Sequence, residues 1–305
     1  MKAIRIHEYG DGNTLRLEEV PRLSITDDQM LVRVHDIGVN PIDWKIRQGY
    51  MKQVMPLSFP YTIGQDFAGD VTECGKAVKR FHVGDRVFGF ANGAYAEYVA
   101  APESTVAAMP SSMDYSVGAA LPTAGLTALQ IIRDVVRAEA GMTVLIHGAA
   151  GGVGSFASQI AKARGARVIG SAAGEDIDYL KTIHIDEIID YKRERFENKV
   201  HTVDAVVDLV GGETQTRSYS VVKKGGVLVT TVGLVDDTAA KAAGIRAVHV
   251  VMKRNAADLA ELAGLVEKGK VQPRLAQTLA LSEAREAQAL SETGKTRGKL
   301  ILKVA

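Results

Sequence analysis

Cysteine is almost absent from this sequence, which contains only Cys74. One thiol cannot form a disulfide within the chain, and it cannot by itself build a multi-cysteine metal site. No apolar run approaches the ~20 residues that a membrane helix requires. Residues 1–8 alternate apolar and polar side chains and lack the apolar stretch of a signal peptide. We therefore expect a cytoplasmic protein without a membrane partner.

The sequence also lacks an excess of charge of either sign. It has 37 Lys and Arg residues against 36 Asp and Glu residues, a formal net charge of +1. Nucleic-acid-binding surfaces normally need a clear basic excess, so we expect a small-molecule partner and no nucleic acid. The length of 305 residues exceeds that of one ordinary hydrophobic core, so two domains are expected.

The texture of the sequence changes along the chain. Residues 1–109 contain short, often alternating apolar runs separated by Gly, Pro, Asn and Asp, a pattern that predicts an antiparallel, strand-rich domain. Residues 115–136 are rich in Ala, Leu and Ile and predict helix, broken at Pro122 and Gly125. From Gln272 onward the sequence returns to strand-like runs, which we expect to rejoin the N-terminal domain.

Strands and helices alternate in the middle of the chain. The predicted strands are Thr143–His147, Arg167–Ser171, Glu187–Asp190, Asp204–Leu209, Val227–Val232 and Ile245–Met252. The predicted helices include Gly154–Arg164, Asp176–Ile183 and Glu213–Val222. Near-continuous apolar strands separated by helices indicate an α/β fold with a doubly wound parallel sheet.

A glycine-rich turn follows the first of these strands. Residues 149–154 read Ala-Ala-Gly-Gly-Val-Gly, so alanine replaces the first glycine of the usual G-x-G-x-x-G pattern. The preceding strand and the following amphipathic helix supply the context that this pattern needs. Small residues let a pyrophosphate approach the backbone, and the helix start offers it free N–H groups. The residues predicted to bind a dinucleotide here are Ala150, Gly151, Gly152 and Val153. The alternative is a structural turn without a ligand.

The second strand bears on which dinucleotide binds. In NAD-dependent enzymes an acidic residue near its end usually holds the ribose hydroxyls. Here the strand ends in residues 171–173, Ser-Ala-Ala, and the first acid is Glu175. This tip leaves room for a 2′-phosphate beside Ser171 and favours NADPH. The basic residues 192–193, after Tyr191, either lie near that phosphate or form a solvated charge run.

Several motifs in a fixed order resemble one protein family. They are Asn-Pro-Ile-Asp-Trp-Lys at 40–45, Gly-Gln-Asp-Phe-Ala-Gly at 64–69, Val-Gly-Asp-Arg-Val-Phe-Gly at 83–89, Gly-Ala-Tyr-Ala-Glu-Tyr at 93–98, Gly-Leu-Thr-Ala at 125–128 and Arg-Gly-Lys at 297–299. Over nearly its whole length the chain resembles the zinc-free medium-chain dehydrogenases/reductases, in the quinone oxidoreductase branch that includes zeta-crystallin-like proteins.

The resemblance implies two domains and an assembly. Residues 1–119 and 266–305 are expected to form a GroES-like β-rich catalytic domain. Residues 120–265 are expected to form a Rossmann NADP-binding domain, with the active site in the cleft between the two. The resemblance also implies a dimer or a tetramer, and we expect a homodimer.

The resemblance implies positions for the site residues. Asn40 and Lys45 lie on the family's active-site segment and are candidate catalytic hydrogen-bond donors, with Tyr50 as a further candidate. Asn40 alternatively serves as a turn residue before proline, and Lys45 as a solvated surface lysine. Thr127 resembles a threonine near the nicotinamide and alternatively caps a helix. The backbone of Val232, Gly233 and Leu234 is expected to pair with the carboxamide.

The sequence departs from the family's zinc-dependent relatives. Those relatives have a cysteine ligand where this chain has Asn40, and Gly-His-Glu where it has Gly-Gln-Asp at 64–66. We therefore expect no catalytic metal. Some NADPH-dependent members carry a lysine where this chain has Ile177, which weakens the expectation of NADPH without reversing it.

The chemistry expected without zinc is hydride transfer from NADPH to a quinone or an α,β-unsaturated carbonyl, because hydrogen-bond donors suffice for such activated acceptors. Two alternatives stay open. One is a 2-enoyl-thioester reductase, which uses the same fold and chemistry. The other is a catalytically weak NADPH-binding sensor or structural protein.

Overall fold

The computed structural model describes residues 1–233 and 235–304. Leu234, predicted to bind the cofactor, lies outside the described residues. The helices are α1 (Pro41–Arg47), α2 (Tyr115–Ala120), α3 (Pro122–Gln130), α4 (Gly152–Ala163), α5 (Ile177–Thr182), α6 (Glu213–Ser218), α7 (Asp237–Ala243), α8 (Ala256–Glu267) and α9 (Ala284–Glu292). The strands are β1 (Lys2–Ile6), β2 (Arg16–Glu19), β3 (Gln29–Val39), β4 (Tyr61–Thr62), β5 (Asp66–Cys74), β6 (Arg86–Phe90), β7 (Tyr98–Pro102), β8 (Val106–Ala108), β9 (Thr143–His147), β10 (Arg167–Ala172), β11 (Glu187–Asp190), β12 (Val203–Asp208), β13 (Val222–Thr230), β14 (Arg246–His249), β15 (Leu275–Ala280) and β16 (Lys299–Lys303).

The chain divides into two compact units. Unit 1 comprises Met1–Ala124, Arg254–Glu267 and the segment from Pro273 onward, and unit 2 comprises Gly125–Lys253 and Lys268–Gln272. The predicted boundaries differ from this division mainly at α8, which they assign to the nucleotide-binding domain. In the structure α8 packs against β8 of unit 1.

Unit 2 contains the parallel sheet that the sequence predicts. Its strand order is β11-β10-β9-β12-β13-β14, and every neighbouring pair is parallel. Leu145, Val206 and Leu228 from three adjacent strands are fully buried in its core. This order, which reverses beside β9, is that of the doubly wound dinucleotide-binding fold.

The strands of unit 2 lie close to their predicted positions, with shifts of one residue at β10 and β12 and larger differences at β13 and β14. The bounds of β9 and β11 are those predicted. The predicted helix Glu213–Val222 ends earlier, at Ser218, because Val222 begins β13 and pairs with Val203 of β12. The last strand is also shorter than predicted and ends at His249.

Unit 1 is built around the long strand β3. Its main sheet has the order β15-β16-β3-β5-β6-β8, with β7 also paired to β3, and β2-β1-β4 form a smaller sheet. Side chains such as Val32, Phe67 and Leu302 fill its core. The antiparallel pairing of β16 with β3 confirms that the C-terminal segment rejoins the N-terminal domain.

Two helical features of the structure differ from the prediction. α3 starts at Pro122 as expected but continues through Gly125 without a break, and a π-helical segment, Ile131–Val136, follows it. The strand-like C-terminal region contains α9. The spacing of its buried residues Ala284, Ala287, Gln288 and Ser291 is the helical signal that could have identified it.

Gly154 lets the start of α4 pack against the turn after β9. A Cβ atom added at this position would lie 2.1 Å from the carbonyl oxygen of Gly148. Gly148 itself has a φ of +72°, in the left-handed region that favours glycine. The turn therefore requires small residues for its own geometry, whatever ligand it binds.

We expect Gly154→Ala to destabilise the protein by about 1–3 kcal/mol, the usual cost of overpacking a close contact. Gly264→Ala in α8 is the matched control, because a Cβ there meets no atom within 4 Å. Alanine in a helix is favoured over glycine by up to about 1 kcal/mol, so the control should be neutral or stabilising. Thermal unfolding followed by circular dichroism measures both. Equal midpoints for the two variants would contradict this account.

Candidate functional site

The turn between β9 and α4 presents backbone donors in unit 2. Gly151 donates its N–H to the carbonyl of Gly148 at 3.0 Å, and α4 begins at the next residue. The first helical residues, Gly152 to Gly154, have no preceding helical carbonyl for their N–H groups to bond. Together with the partial positive charge of a helix start, these donors fit a pyrophosphate. The predicted residues Ala150, Gly151, Gly152 and Val153 all lie here.

Ser171 faces the interior of unit 2. Its hydroxyl lies 2.8 Å from His147 Nδ1, and His147 Nε2 lies 3.0 Å from Ser218 Oγ. Ser218 donates its own proton to the carbonyl of Thr214, so His147 Nε2 donates to Ser218 and Ser171 donates to Nδ1. Burial lowers the pKa of His147 to about 4, which keeps the ring neutral. The Ser171 hydroxyl, which was predicted to lie beside a 2′-phosphate, is thus bonded to His147 in the interior of unit 2.

The carboxyl ends of β10 and β11 carry paired charges. The Lys192 ammonium bonds both carboxylate oxygens of Glu175, at 2.9 and 3.1 Å. Arg193 Nε lies 3.4 Å from an oxygen of Asp190. Between these pairs the predicted residue Tyr191 exposes 61% of its surface. Glu175 and Asp190 therefore each have a cationic partner.

The other predicted cofactor residues of unit 2 lie on α3 and after β13. Thr127 is buried in α3. The Thr230 hydroxyl accepts the N–H of Val232 at 3.0 Å and donates to its carbonyl at 2.8 Å. Gly233 follows with a φ of +69°. The backbone groups of Val232 that were predicted to pair with the carboxamide are thus bonded to Thr230.

Asn40 lies at the start of α1 in unit 1 and is 1% exposed. Its Nδ2 donates to Asp66 Oδ2 at 2.8 Å, and its Oδ1 accepts a hydrogen bond from Lys299 Nζ. Its backbone N–H donates to Asp43 Oδ2 at 2.8 Å. Both ends of the amide are therefore bonded to buried charged residues.

These contacts belong to a buried polar network formed by Asn40, Asp43, Asp66, Tyr95 and Lys299. Tyr95 donates its hydroxyl to Asp43 Oδ2 at 3.0 Å, and Lys299 Nζ also bonds the carbonyl of residue 39 at 3.0 Å. Asp66 accepts the N–H and hydroxyl of Thr123 at 2.9 and 2.6 Å. The network joins motifs that lie far apart in the sequence.

Burial dominates the electrostatics of the buried polar network. It raises the pKa of Asp43 to about 7, and the nearby Asp66 carboxylate adds to this shift, whereas the hydrogen bonds from Asn40 and Tyr95 oppose it. Burial also raises the pKa of Asp66, although Lys299 and the hydrogen bonds from Thr123 and Asn40 oppose this shift. It lowers the pKa of Lys299, against the attraction of both carboxylates.

Lys45 and Tyr50 form an outward-facing group with Trp44. Lys45 Nζ lies 5.6 Å from the centre of the Trp44 ring, and the rings of Trp44 and Tyr50 meet edge to face at 6.0 Å. Tyr50 is 69% exposed, whereas Lys45 is half-buried. The structure thus brings two of the three predicted catalytic residues together. It places Asn40 in the buried polar network.

Sequence reasoning missed Arg47, which holds α1 in place. Its guanidinium is fully buried and donates to the carbonyl of Gly10 at 2.7 Å, to Gln288 Oε1 at 2.7 Å, and to Glu292. Gln288 and Glu292 belong to α9, so the C-terminal segment positions the helix that carries Lys45. The only local signal is that an arginine follows the recognised motif directly.

Residues 1–233 and 235–304 contain neither a cluster of metal ligands nor a helix that could span a membrane. No group of three or more His, Cys, Asp or Glu side chains in these ranges could hold a metal ion. Within the same ranges, every helix is too short or too polar to span a bilayer.

The two units together define a nicotinamide-dependent oxidoreductase with a GroES-like domain and a Rossmann domain. Comparison with known families gives the same architecture. Residues 26–111 match the alcohol dehydrogenase GroES-like domain, and residues 183–302 match the family described as zinc-binding dehydrogenase.

Individual relatives identify the branch of the family to which the chain belongs. The quinone oxidoreductase of Rattus norvegicus is 32% identical over 99% of this chain and 97% of its own length. The structure of the quinone oxidoreductase from Coxiella burnetii is 36% identical, with a TM-score of 0.90 over 100% of this chain and 99% of that one. A mycobacterial protein solved in complex with NADPH is 30% identical, with a TM-score of 0.90 over 99% and 100% of the two chains. This chain belongs to the zinc-free medium-chain dehydrogenases/reductases, in the quinone oxidoreductase-like branch.

We expect Asp43→Asn to flatten the dependence of stability on pH. The pKa of Asp43 rises from 3.8 to about 7 on folding, so the native state retains a proton that the unfolded state has lost between these values. The free energy of unfolding therefore falls as pH rises from about 4 to 7. Asparagine can still accept the bonds from Asn40 and Tyr95 but does not titrate.

Urea unfolding at pH 5, 6, 7 and 8 measures this effect as the difference in stability between wild type and variant. Asp178→Asn is the control, since the Asp178 side chain is 96% exposed. The difference should change with pH for Asp43→Asn and stay constant for the control. A constant difference for both variants would refute the assignment.

Proposed function

We propose that this oxidoreductase uses NADPH to reduce quinones or α,β-unsaturated carbonyls. The observation that carries the proposal is the hydrogen bonding of the Asn40 side chain. Asn40 lies at the position where zinc-dependent relatives have a cysteine ligand. Both ends of its amide are bonded within the buried polar network, so its function is to hold that network rather than a metal. Acceptors that already carry a conjugated carbonyl need only hydrogen-bond donors.

In this proposal the residues of unit 2 bind the cofactor and those of unit 1 bind the acceptor. When bound, NADPH supplies a hydride from its nicotinamide. In unit 2 the N–H groups at the start of α4 bind the pyrophosphate, and Thr127 and Gly233 border the nicotinamide end. In unit 1 Lys45 and Tyr50 donate hydrogen bonds to the acceptor oxygen, and Lys45 can return a proton to it. Trp44 gives the acceptor an apolar surface to pack against.

This division of roles predicts activity toward a defined group of acceptors. NADPH oxidation should be fast with 1,2- and 1,4-quinones and with enals. It should be at least about tenfold slower with simple ketones, because their carbonyl is not conjugated and hydrogen-bond donors alone do not activate it enough. Activity should survive exhaustive chelation, because Asn40 and Gln65 are not zinc ligands of the usual kind. Steady-state kinetics with this panel and with enoyl thioesters measures both properties.

Several results would contradict the proposal. Activity lost on chelation and restored specifically by Zn²⁺ would do so. A clear preference for enoyl thioesters would favour the alternative reductase. Tight NADPH binding without turnover of any acceptor would favour a binding or sensor protein.

The preference for NADPH rests on the charges at the ends of β10 and β11. Glu175 and Asp190 are two of the acids there, and each is already paired with a cation. Lys192 lies within reach of the same surface as Tyr191, whereas the Ser171 hydroxyl is bonded to His147. We therefore assign recognition of the 2′-phosphate mainly to Lys192 and Tyr191.

We expect Lys192→Ala to weaken NADPH binding by up to about fivefold and to leave NADH binding unchanged, because one exposed charge pair contributes up to ~1 kcal/mol. Lys199→Ala is the control, since Lys199 forms an exposed ion pair with Glu194 at 3.2 Å. Fluorescence titration with both cofactors gives the dissociation constants. Equal affinities of the wild type for NADPH and NADH would refute the preference itself.

The homodimer and the cytoplasmic location stay predictions. β14 lies at the edge of the unit 2 sheet, and Val251, just beyond it, is 76% exposed. A sheet edge and an exposed apolar side chain favour pairing with a second copy of the chain. Light scattering on the purified protein determines the assembly directly.

A further inference from the structure

Arg254 is an exposed cation fixed on the surface of unit 1. Its Nη2 donates to Gln65 Oε1, and its Nη1 lies 3.5 Å from Asn92 Oδ1. Its Cζ lies 5.1 Å from the centre of the Phe90 ring, within the range of a cation–π contact. No carboxylate of the described residues lies within 4 Å of the guanidinium, so its charge is held without an ion-pair partner.

The fold determines where this guanidinium lies. Gln65 is 8% exposed, and its carbonyl accepts the N–H of Ala91 at 2.9 Å. On the other side Asn255 caps α8 by accepting the N–H of Asp258 at 2.7 Å, which fixes the chain directly after Arg254. A long, flexible side chain is thereby held in one place before any ligand binds.

The neighbours of Arg254 connect it to the candidate site. Gln65 precedes Asp66 of the buried polar network, which bonds Asn40 at the start of α1. In zinc-dependent relatives the position of Gln65 carries a histidine. In this chain an amide that holds a guanidinium occupies that position.

We propose that Arg254 is a catalytic residue that binds the carbonyl oxygen of the acceptor and stabilises the negative charge that develops there. This inference rests on the proposed function. A guanidinium has five N–H donors, and the bonds to Gln65 and Asn92 use two of them. The remaining donors can meet a substrate oxygen without breaking the contacts that position the side chain.

The proposed step moves two electrons from the cofactor to the acceptor. A hydride, which is one proton with two electrons, would leave the C4–H bond of the bound dihydronicotinamide and form a C–H bond at the electrophilic carbon of the acceptor, so that the cofactor would become oxidised. The π electrons of the conjugated system move onto the carbonyl oxygen, which becomes an oxyanion beside the guanidinium. A proton from Lys45 or from water then completes the reduced product. Arg254 contributes only hydrogen bonds to this step.

This role predicts a graded loss of activity. Arg254→Ala should lower kcat by about 10²-fold with an enal, the usual effect of removing a donor to an oxyanion. The loss should be smaller with a quinone, which is more electrophilic and depends less on charge stabilisation. Arg254→Lys should retain part of the activity, because it keeps the charge but loses the fork of donors. Added guanidinium salt should partly restore Arg254→Ala.

Arg80→Ala is the matched control. Arg80 also lies 5.1 Å from an aromatic ring, that of Phe81, and is bonded to Glu103 away from the candidate site. Its kcat should stay within about twofold of wild type. NADPH affinity, measured by fluorescence, should be unchanged in all three variants, which separates a catalytic effect from a loss of folding or cofactor binding.

Two results would overturn the inference while leaving the proposed function intact. One is an Arg254→Ala variant with wild-type kcat on both acceptors. The other is a loss that is equal for enal and quinone, is not rescued by guanidinium, and accompanies weaker NADPH binding. If the wild-type protein reduces neither acceptor, the proposed function fails first and the catalytic role of Arg254 fails with it.

Discussion

The hydrogen bonds of the Asn40 amide are the constraint on which unit 1 depends. One end of the amide bonds Asp66 and the other bonds Lys299, so a neutral side chain separates a buried carboxylate from a buried ammonium. Removing one partner of a buried charge pair typically costs about 3–5 kcal/mol, since the other charge is left without compensation. The segments that carry Asn40, Asp66 and Lys299 must therefore come together in one arrangement, which explains why their motifs occur together in the sequence.

Helix α1 connects the buried polar network to the residues that we propose bind the acceptor, because its two sides face different surroundings. Asp43, Ile46 and Arg47 are buried, and they attach the helix to the network, the core and α9. Trp44 and Lys45 lie on the less buried side. A short helix of this kind has little stability of its own. Its functional groups are positioned because the buried side is bonded at several points.

In unit 2, buried hydrogen bonds between neutral side chains likewise fix the residues next to the proposed ligand-binding groups. His147 lies directly before the glycine-rich turn, and its two ring nitrogens bond serines from β10 and α6. A buried polar ring with both nitrogens satisfied permits one orientation and excludes others. The turn that we propose binds the dinucleotide is thus next to side chains held in one orientation. In both units the groups available to ligands lie next to buried polar contacts.

The amino-acid pattern alone determined the features that depend on neighbours along the chain. The bounds of β9 and β11, the turn before α4 and the alternation of strand and helix follow from local periodicity and from the size of glycine. The orientations of the Asn40 and Ser171 side chains did not follow, because each is set by a distant partner. Lys299 lies 259 residues from Asn40, and Ser218 lies 71 residues from His147. Only the tertiary structure decided these, since a buried polar group must bond whichever partner the fold brings within reach.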